Sequence, residues 1–213
     1  MLILDGGNFS RRREGRIILQ ETCRRKIGWD EQLAKELQNR IFLWLNHAGS
    51  VYEVDVPRNI LNSSDISSCD LHIFSDASLV GYGVVAYLVF EDCGSGRTCH
   101  FVYGNARVAP LKTVSVPRLE LQAATLSVKV SCTLREAFVC TLNRVYFWTD
   151  STTVLRYINN QTVKFHIFVA NRLAIIGEGL LLISGDMFHR GRIQLMKYPE
   201  GSRRRFGLTA QNF

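Results

Sequence analysis

The stretch LHIFSDASLVGYGVVAYLVF, residues 71–90, decides how this chain is read. An apolar run from Leu71 to Phe74 leads into Asp76. A glycine-punctuated turn follows, then a second run, Gly83 to Phe90, rich in Val and Tyr. Two β-prone runs separated by a turn predict neighbouring strands. A carboxylate at the end of a buried strand costs free energy unless a positive charge meets it. The question is what Asp76 meets, and the residues downstream bear on it.

EDCGSGRT reads as a turn and Cys99–Asn105 as a third strand. Short loops between three strands favour an antiparallel meander. Next comes VSVPRLELQAATLSVKVSCTLREA, with Pro117 suited to a helix's first turn. Leu119, Ala123, Leu126, Val130 and Leu134 recur at helical spacing, and Leu121 and Val128 form a second apolar face. A helix apolar on most sides is a buried one. RVYFWTDS then predicts a short strand ending at Asp150, with Ser151 capping a helix through about Ile158. FHIFVANRLAIIG reads as a further helix, and LLLIS as a candidate strand.

Upstream, residues 30–46 predict a helix capped by Asp30, with Leu33, Leu37, Ile41 and Trp44/Leu45 along one stripe. The expected organisation is an irregular basic N-terminus over 1–15, then a helical connector and linker over 16–70. An α/β domain follows over 71–185, and a divergent basic tail over 186–213. The fold expected is a mixed sheet, three antiparallel strands then a parallel one, flanked by helices.

Composition sets the outer bounds. The chain has 213 residues, is 46% hydrophobic and contains only four prolines, which suits one globular domain with an appendage. Its formal net charge is +7, concentrated in the middle of the chain and in residues 190–213. A basic domain suits a polyanion such as nucleic acid, although solubility alone also accounts for charge. None of the six cysteines forms a CxxC pair, so neither a zinc site nor a secreted disulfide framework is expected. No secretory signal and no membrane-spanning run is visible. The expectation is an intracellular protein, cytoplasmic or nuclear.

Three carboxylates stand at element ends: Asp76 after the first strand, Glu120 in the first turn of the buried helix, and Asp150 after the fourth strand. If the first and fourth strands are neighbours, their ends lie roughly 5 Å apart. Three converging carboxylates would raise one another's pKa unless a cation neutralised them. Magnesium is the natural cation, because it takes hard oxygen ligands and keeps waters for a substrate. Singly, each acid has a plainer role as a turn, dipole or cap residue.

The flanking residues resemble the ribonuclease H fold: FSDAS before a glycine-bearing strand, RLEL opening a helix, and WTDS ahead of a short helix. More closely, SDASLVGYGVVAYL, ARVAPLKTVSVPRLELQAA, FWTDSTTVLRYI and VANRLAII resemble the ribonuclease-H-like region of BEL/Pao retrotransposon polyproteins, the Pao retrotransposon peptidase family. ILQETCRRKIGWDEQL resembles the segment that joins reverse transcriptase to that region, which makes reverse transcriptase a neighbour in the parent polyprotein. The word "peptidase" does not transfer, since no Asp-Thr-Gly or Asp-Ser-Gly occurs here.

The resemblance implies that Asp76, Glu120 and Asp150 hold two Mg2+ ions, with Mn2+ as a substitute. One ion activates a water and the other stabilises the leaving 3′ oxygen. The implied substrate is the RNA strand of an RNA–DNA hybrid, with Arg107, Lys112 and Arg118 holding phosphates.

The family's fourth carboxylate motif is not found. Asp186 and His189 are the only candidates in the tail, and neither has matching neighbours. Two rival expectations follow. One is a catalytically inactive remnant that binds nucleic acid through Arg203, Arg204 and Arg205. The other is an interaction module using the 30–46 helix.

Overall fold

The computed structural model describes residues 14–49, 66–94, 96–138, 142–160, 162–184 and, as backbone, 192–195. Two helices lead: α1 over residues 14–24 and α2, Lys35–Gly49. Three long strands follow, β1 (Ile66–Ser78), β2 (Gly81–Asp92) and β3 (Arg97–Val108). Then come α3 (Val116–Ala137), β4 (Arg144–Thr149), α4 (Thr152–Asn159), α5 (Ile167–Ser184) and β5 (Arg192–Leu195).

The five strands form one sheet in the order β3-β2-β1-β4-β5. β1 pairs antiparallel with β2 and β2 with β3, whereas β4 runs parallel to β1 and β5 parallel to β4. This is the mixed sheet expected, three antiparallel strands and then a parallel one, with a fifth strand added from the tail.

Alternation along the strands sorts the two faces. Cys69, Leu71 and Ile73 of β1, Val84, Ala86, Leu88 and Phe90 of β2, and Val145 and Phe147 of β4 are buried and form one side of the core. α3 lies across β1 and β2 on that face, and α5 packs on α3. Both apolar faces of α3 are buried, as its pattern predicts. Its buried hydroxyls bond back to the helix: Thr125 to the Leu121 carbonyl, Ser127 to that of Ala124 and Ser131 to that of Val128. They therefore cost little in the core.

Several expectations need correction. The helix expected at 30–46 begins at Lys35, so Asp30 is not its cap. Residues 29–31 are turn and bend instead, and a bond from the Gly28 amide to the Glu31 carboxylate (3.0 Å) helps fix the approach. LLLIS is not a strand: it continues α5 to Ser184, because Ile176, Gly179 and Ile183, at three- and four-residue spacing, pack inward. β1 reaches back to Ile66, into the stretch expected to be linker. Ser67 and Ser68 there bond Glu91 of β2, through its carbonyl and carboxylate respectively.

Candidate active site

The register of β1 and β4 brings the first and third acids side by side. Asp70 pairs with Arg144, His72 with Tyr146, Phe74 with Trp148, and Ser75 with Thr149, the last pair in the ladder. The next positions are Asp76 and Asp150. Across the other neighbour, Asp76 faces Gly83 of β2. Rings fill the face that leads up to the acids. His72 stacks on Tyr146 at 4.7 Å between centroids, Phe74 stacks on Trp148 at 5.9 Å, and the Trp148 indole donates to His72 Nδ1 at 3.1 Å. A neutral His72 satisfies that acceptor role, and burial depresses its pKa to about 4.

Glu120 arrives from α3. The helix begins at Val116, so Glu120 lies just past the first turn, which holds no acidic residue. The expected first-turn dipole role therefore does not apply. Its Oε2 accepts a 2.6 Å hydrogen bond from the Ser151 hydroxyl. The same oxygen of Ser151 caps α4 by accepting from the Val154 amide at 3.1 Å, and the Ser151 amide donates to Thr149 Oγ1 at 3.2 Å. Ser151 and Thr149 are both buried. Sequence reading found the cap and missed the bond to Glu120, because nothing local encodes a partner 31 positions away.

Asp76 feels the charges of both other acids, although the three do not form one tight group. Burial first, then the charge of Asp150, and less strongly that of Glu120, push Asp76 up to about 6 against a bond from the Ala77 amide. Asp150 is raised by burial and held down by its own backbone amide.

Among the described residues, no three His, Cys, Asp or Glu side chains stand grouped closely enough to hold a metal ion. The donor chemistry fits a hard divalent cation all the same. It consists of carboxylate oxygens, and among the described residues no Lys, Arg or His shifts Asp76. Among the described residues Glu120 makes no other hydrogen bond, which leaves Oε1 to a cation.

Arg107, Lys112 and Arg118 are all exposed: Arg107 lies near the end of β3, Lys112 in the connection that follows and Arg118 in the first turn of α3. Arg118 sits 5.2 Å from the centroid of Phe168 on α5, and Arg172 lies over the same ring at 3.4 Å. Asp186, His189 and Arg203–Arg205 lie outside the described residues. No helix among the described residues is long and apolar enough to cross a membrane.

The sequence model of one family, described as the Pao retrotransposon-like RNaseH-like domain, matches residues 13–151. No curated protein matches the chain. Among solved structures, the chain is similar to RNase H1 from the halophilic archaeon Halobacterium salinarum NRC-1. That match has a TM-score of 0.39 and 10% identity, and covers 60% of this chain and 85% of that one. LC11-RNase H1 in complex with an RNA/DNA hybrid matches at a TM-score of 0.38 and 8% identity, over 61% of this chain and 85% of that one. The protease–reverse transcriptase of prototype foamy virus matches at a TM-score of 0.40 and 12% identity, over 87% of this chain and 27% of that one.

Proposed function

The chain belongs to the Pao retrotransposon-like RNaseH-like domain family, and from that premise we propose that it hydrolyses the RNA strand of RNA–DNA hybrids with Asp76, Glu120 and Asp150 as its cation-holding acids. The observation that carries this reading is the adjacency of Asp76 and Asp150 at the end of a parallel ladder, with Glu120 near enough to raise Asp76.

Two divalent cations are assigned to these acids, Mg2+ with Mn2+ as a substitute. When bound, such ions supply Lewis-acid polarisation of a phosphodiester and of an attacking water. The chain's own residues set the conditions. Asp76, within β1, and Asp150, the residue that follows β4, stand directly beyond the last β1–β4 pair of a packed sheet, which fixes them relative to each other more firmly than a long loop would. Burial at Asp76 raises the cost of bare negative charge and so sharpens selection for a dication over solvent. Arg107, Lys112 and Arg118 are assigned to the phosphates of the duplex, which position it without reading bases. In the parent polyprotein, reverse transcriptase is the assigned source of the hybrid.

The test is cleavage of an end-labelled hybrid by purified protein in Mg2+ or Mn2+. Wild type should cut the RNA strand, and Asp76→Asn and Asp150→Asn should not. Equal cutting by wild type and variants would assign the activity to a contaminant and end the proposal.

A further inference from the structure

Ser151 does two jobs with one hydroxyl, and only one is needed for folding. Its oxygen accepts from the Val154 amide and so caps α4; its proton goes to Glu120 Oε2 at 2.6 Å. A serine hydroxyl has a single proton, so that donor is fully committed. The amide–hydroxyl–carboxylate chain is cooperative: the α4 amide polarises the hydroxyl and strengthens its bond to the charged acceptor. Ser151 is itself anchored, buried at 4% exposure and holding Thr149 Oγ1 through its amide. It immediately follows Asp150 in the chain. A single buried residue thus links the end of β4, the start of α4 and the acid of α3.

We infer that Ser151 is a positioning residue that holds the Glu120 carboxylate within electrostatic reach of Asp76 for cation binding, an inference that rests on the reading of those acids given above. Without the bond, Glu120 is a half-buried side chain on a helix face with several rotatable bonds and no other donor among the described residues. Removing an outer partner that orients a ligand costs about 10- to 100-fold in metal affinity. A cap alone has no such effect, because its contribution is to helix stability.

The two roles separate experimentally. Mn2+ affinity is measured by paramagnetic resonance of free Mn2+ for wild type, Ser151→Ala, Ser151→Thr and Ile158→Ala. Ile158→Ala weakens the packing of α4 without touching the cap or Glu120. Ser151→Ala should lose about tenfold or more in Mn2+ affinity, and on the hybrid its kcat should fall while KM holds. Ser151→Thr, which keeps the hydroxyl, should recover most of both. Ile158→Ala should lower the melting temperature comparably and leave Mn2+ affinity near wild type. If Ser151→Ala binds Mn2+ as well as Ile158→Ala, the hydroxyl is a cap only and the inference is overturned. If wild type binds no Mn2+, the reading of the three acids fails and the inference falls with it, a result distinct from the first.

Discussion

Replacing Asp76 with Asn should make the protein more stable at neutral and alkaline pH, not less. The Asp76 carboxyl is held at about 6, against an ordinary value of 3.8. A folded pKa above the unfolded one means that the folded state binds the proton more tightly. The associated stability is fully present below about pH 4 and is lost as pH rises through about 6. The displacement corresponds to about 3 kcal/mol at most. Asp76 is only partly buried, so solvent screening reduces this to about 1–2 kcal/mol. In a domain of this size that is a melting-temperature difference of about 3–6 °C.

The pH profile of wild type alone cannot reveal the effect, because His72 opposes it. Burial lowers His72 to about 4 from 6.5, so its contribution is present above about pH 6.5 and is lost as pH falls towards 4. The two groups titrate across one window with opposite signs. The informative quantity is therefore the difference between Asp76→Asn and wild type, measured by thermal unfolding in chelator from about pH 4 to pH 8. It should be near zero at the acid end and favour the variant by the stated amount at the alkaline end. Added Mn2+ should then stabilise wild type, by mass action, and leave the variant unmoved. A variant less stable than wild type at about pH 8 would refute the claim that Asp76 carries uncompensated charge.

Other outcomes follow from particular contacts. A Cβ at Gly179 would collide with Val128 Cγ1, so Gly179→Ala should cost about 1–3 kcal/mol in urea unfolding despite its better helix propensity, with Val128→Ala restoring part of the loss. A Cβ at Gly81 would meet the Arg107 carbonyl at 2.6 Å, and backbone cannot move aside as a side chain can. Gly81→Ala should therefore cost at least about 1–3 kcal/mol, read the same way. The His72 imidazole should show neutral-ring NMR shifts down to about pH 5, given its value of about 4. Charge-removing substitutions at Arg107, Lys112 and Arg118 should each weaken hybrid binding uniformly across sequences and lower the salt slope by about one, measured by filter binding.

Most of the sheet was legible in the sequence, because its signals are local. The two apolar runs within Leu71–Phe90, the all-round apolar pattern of α3 and the Pro117 start each mark an element by themselves. Strand lengths were underestimated at both ends, since polar residues such as Ser67, Ser68 and Asp92 are held by pairing rather than by propensity. α1 escaped notice because EGRIILQETCR buries only Ile18 fully and draws its stability from docking. The ends of α5 and the existence of β5 also depend on tertiary partners. At the site, Asp76, Glu120 and Asp150 were legible as types at element ends. Their mutual electrostatics and the Ser151 bond were not, because both arise only once β1, α3 and β4 have met.

The connector has a physical role that its designation as a joining segment hides. β3 is an edge strand, and an edge leaves carbonyls unpaired. α1 meets two acceptors at that end of the sheet: Arg16 donates to the Ala106 carbonyl and Gln20 to that of Ala109. α2 in turn braces α1 through the Arg40–Glu14 ion pair at 2.6 Å and through Trp44, whose ring lies so close to Gly15 that a Cβ there would meet it at 2.7 Å. The Ala109 amide donates to the Val80 carbonyl at 3.0 Å, which ties the turn after β1 to the same point. The route from β3 into α3, bearing Arg107, Lys112 and Arg118 and delivering Glu120, is therefore pinned from two sides. Cutting the chain after residue 30 would remove α1, uncover an edge and free the loop that carries an acid into the site. The RNaseH-like unit is better defined by where its edge carbonyls are satisfied than by where its sheet begins, and by that criterion it starts in α1, close to residue 13, where the family match also begins.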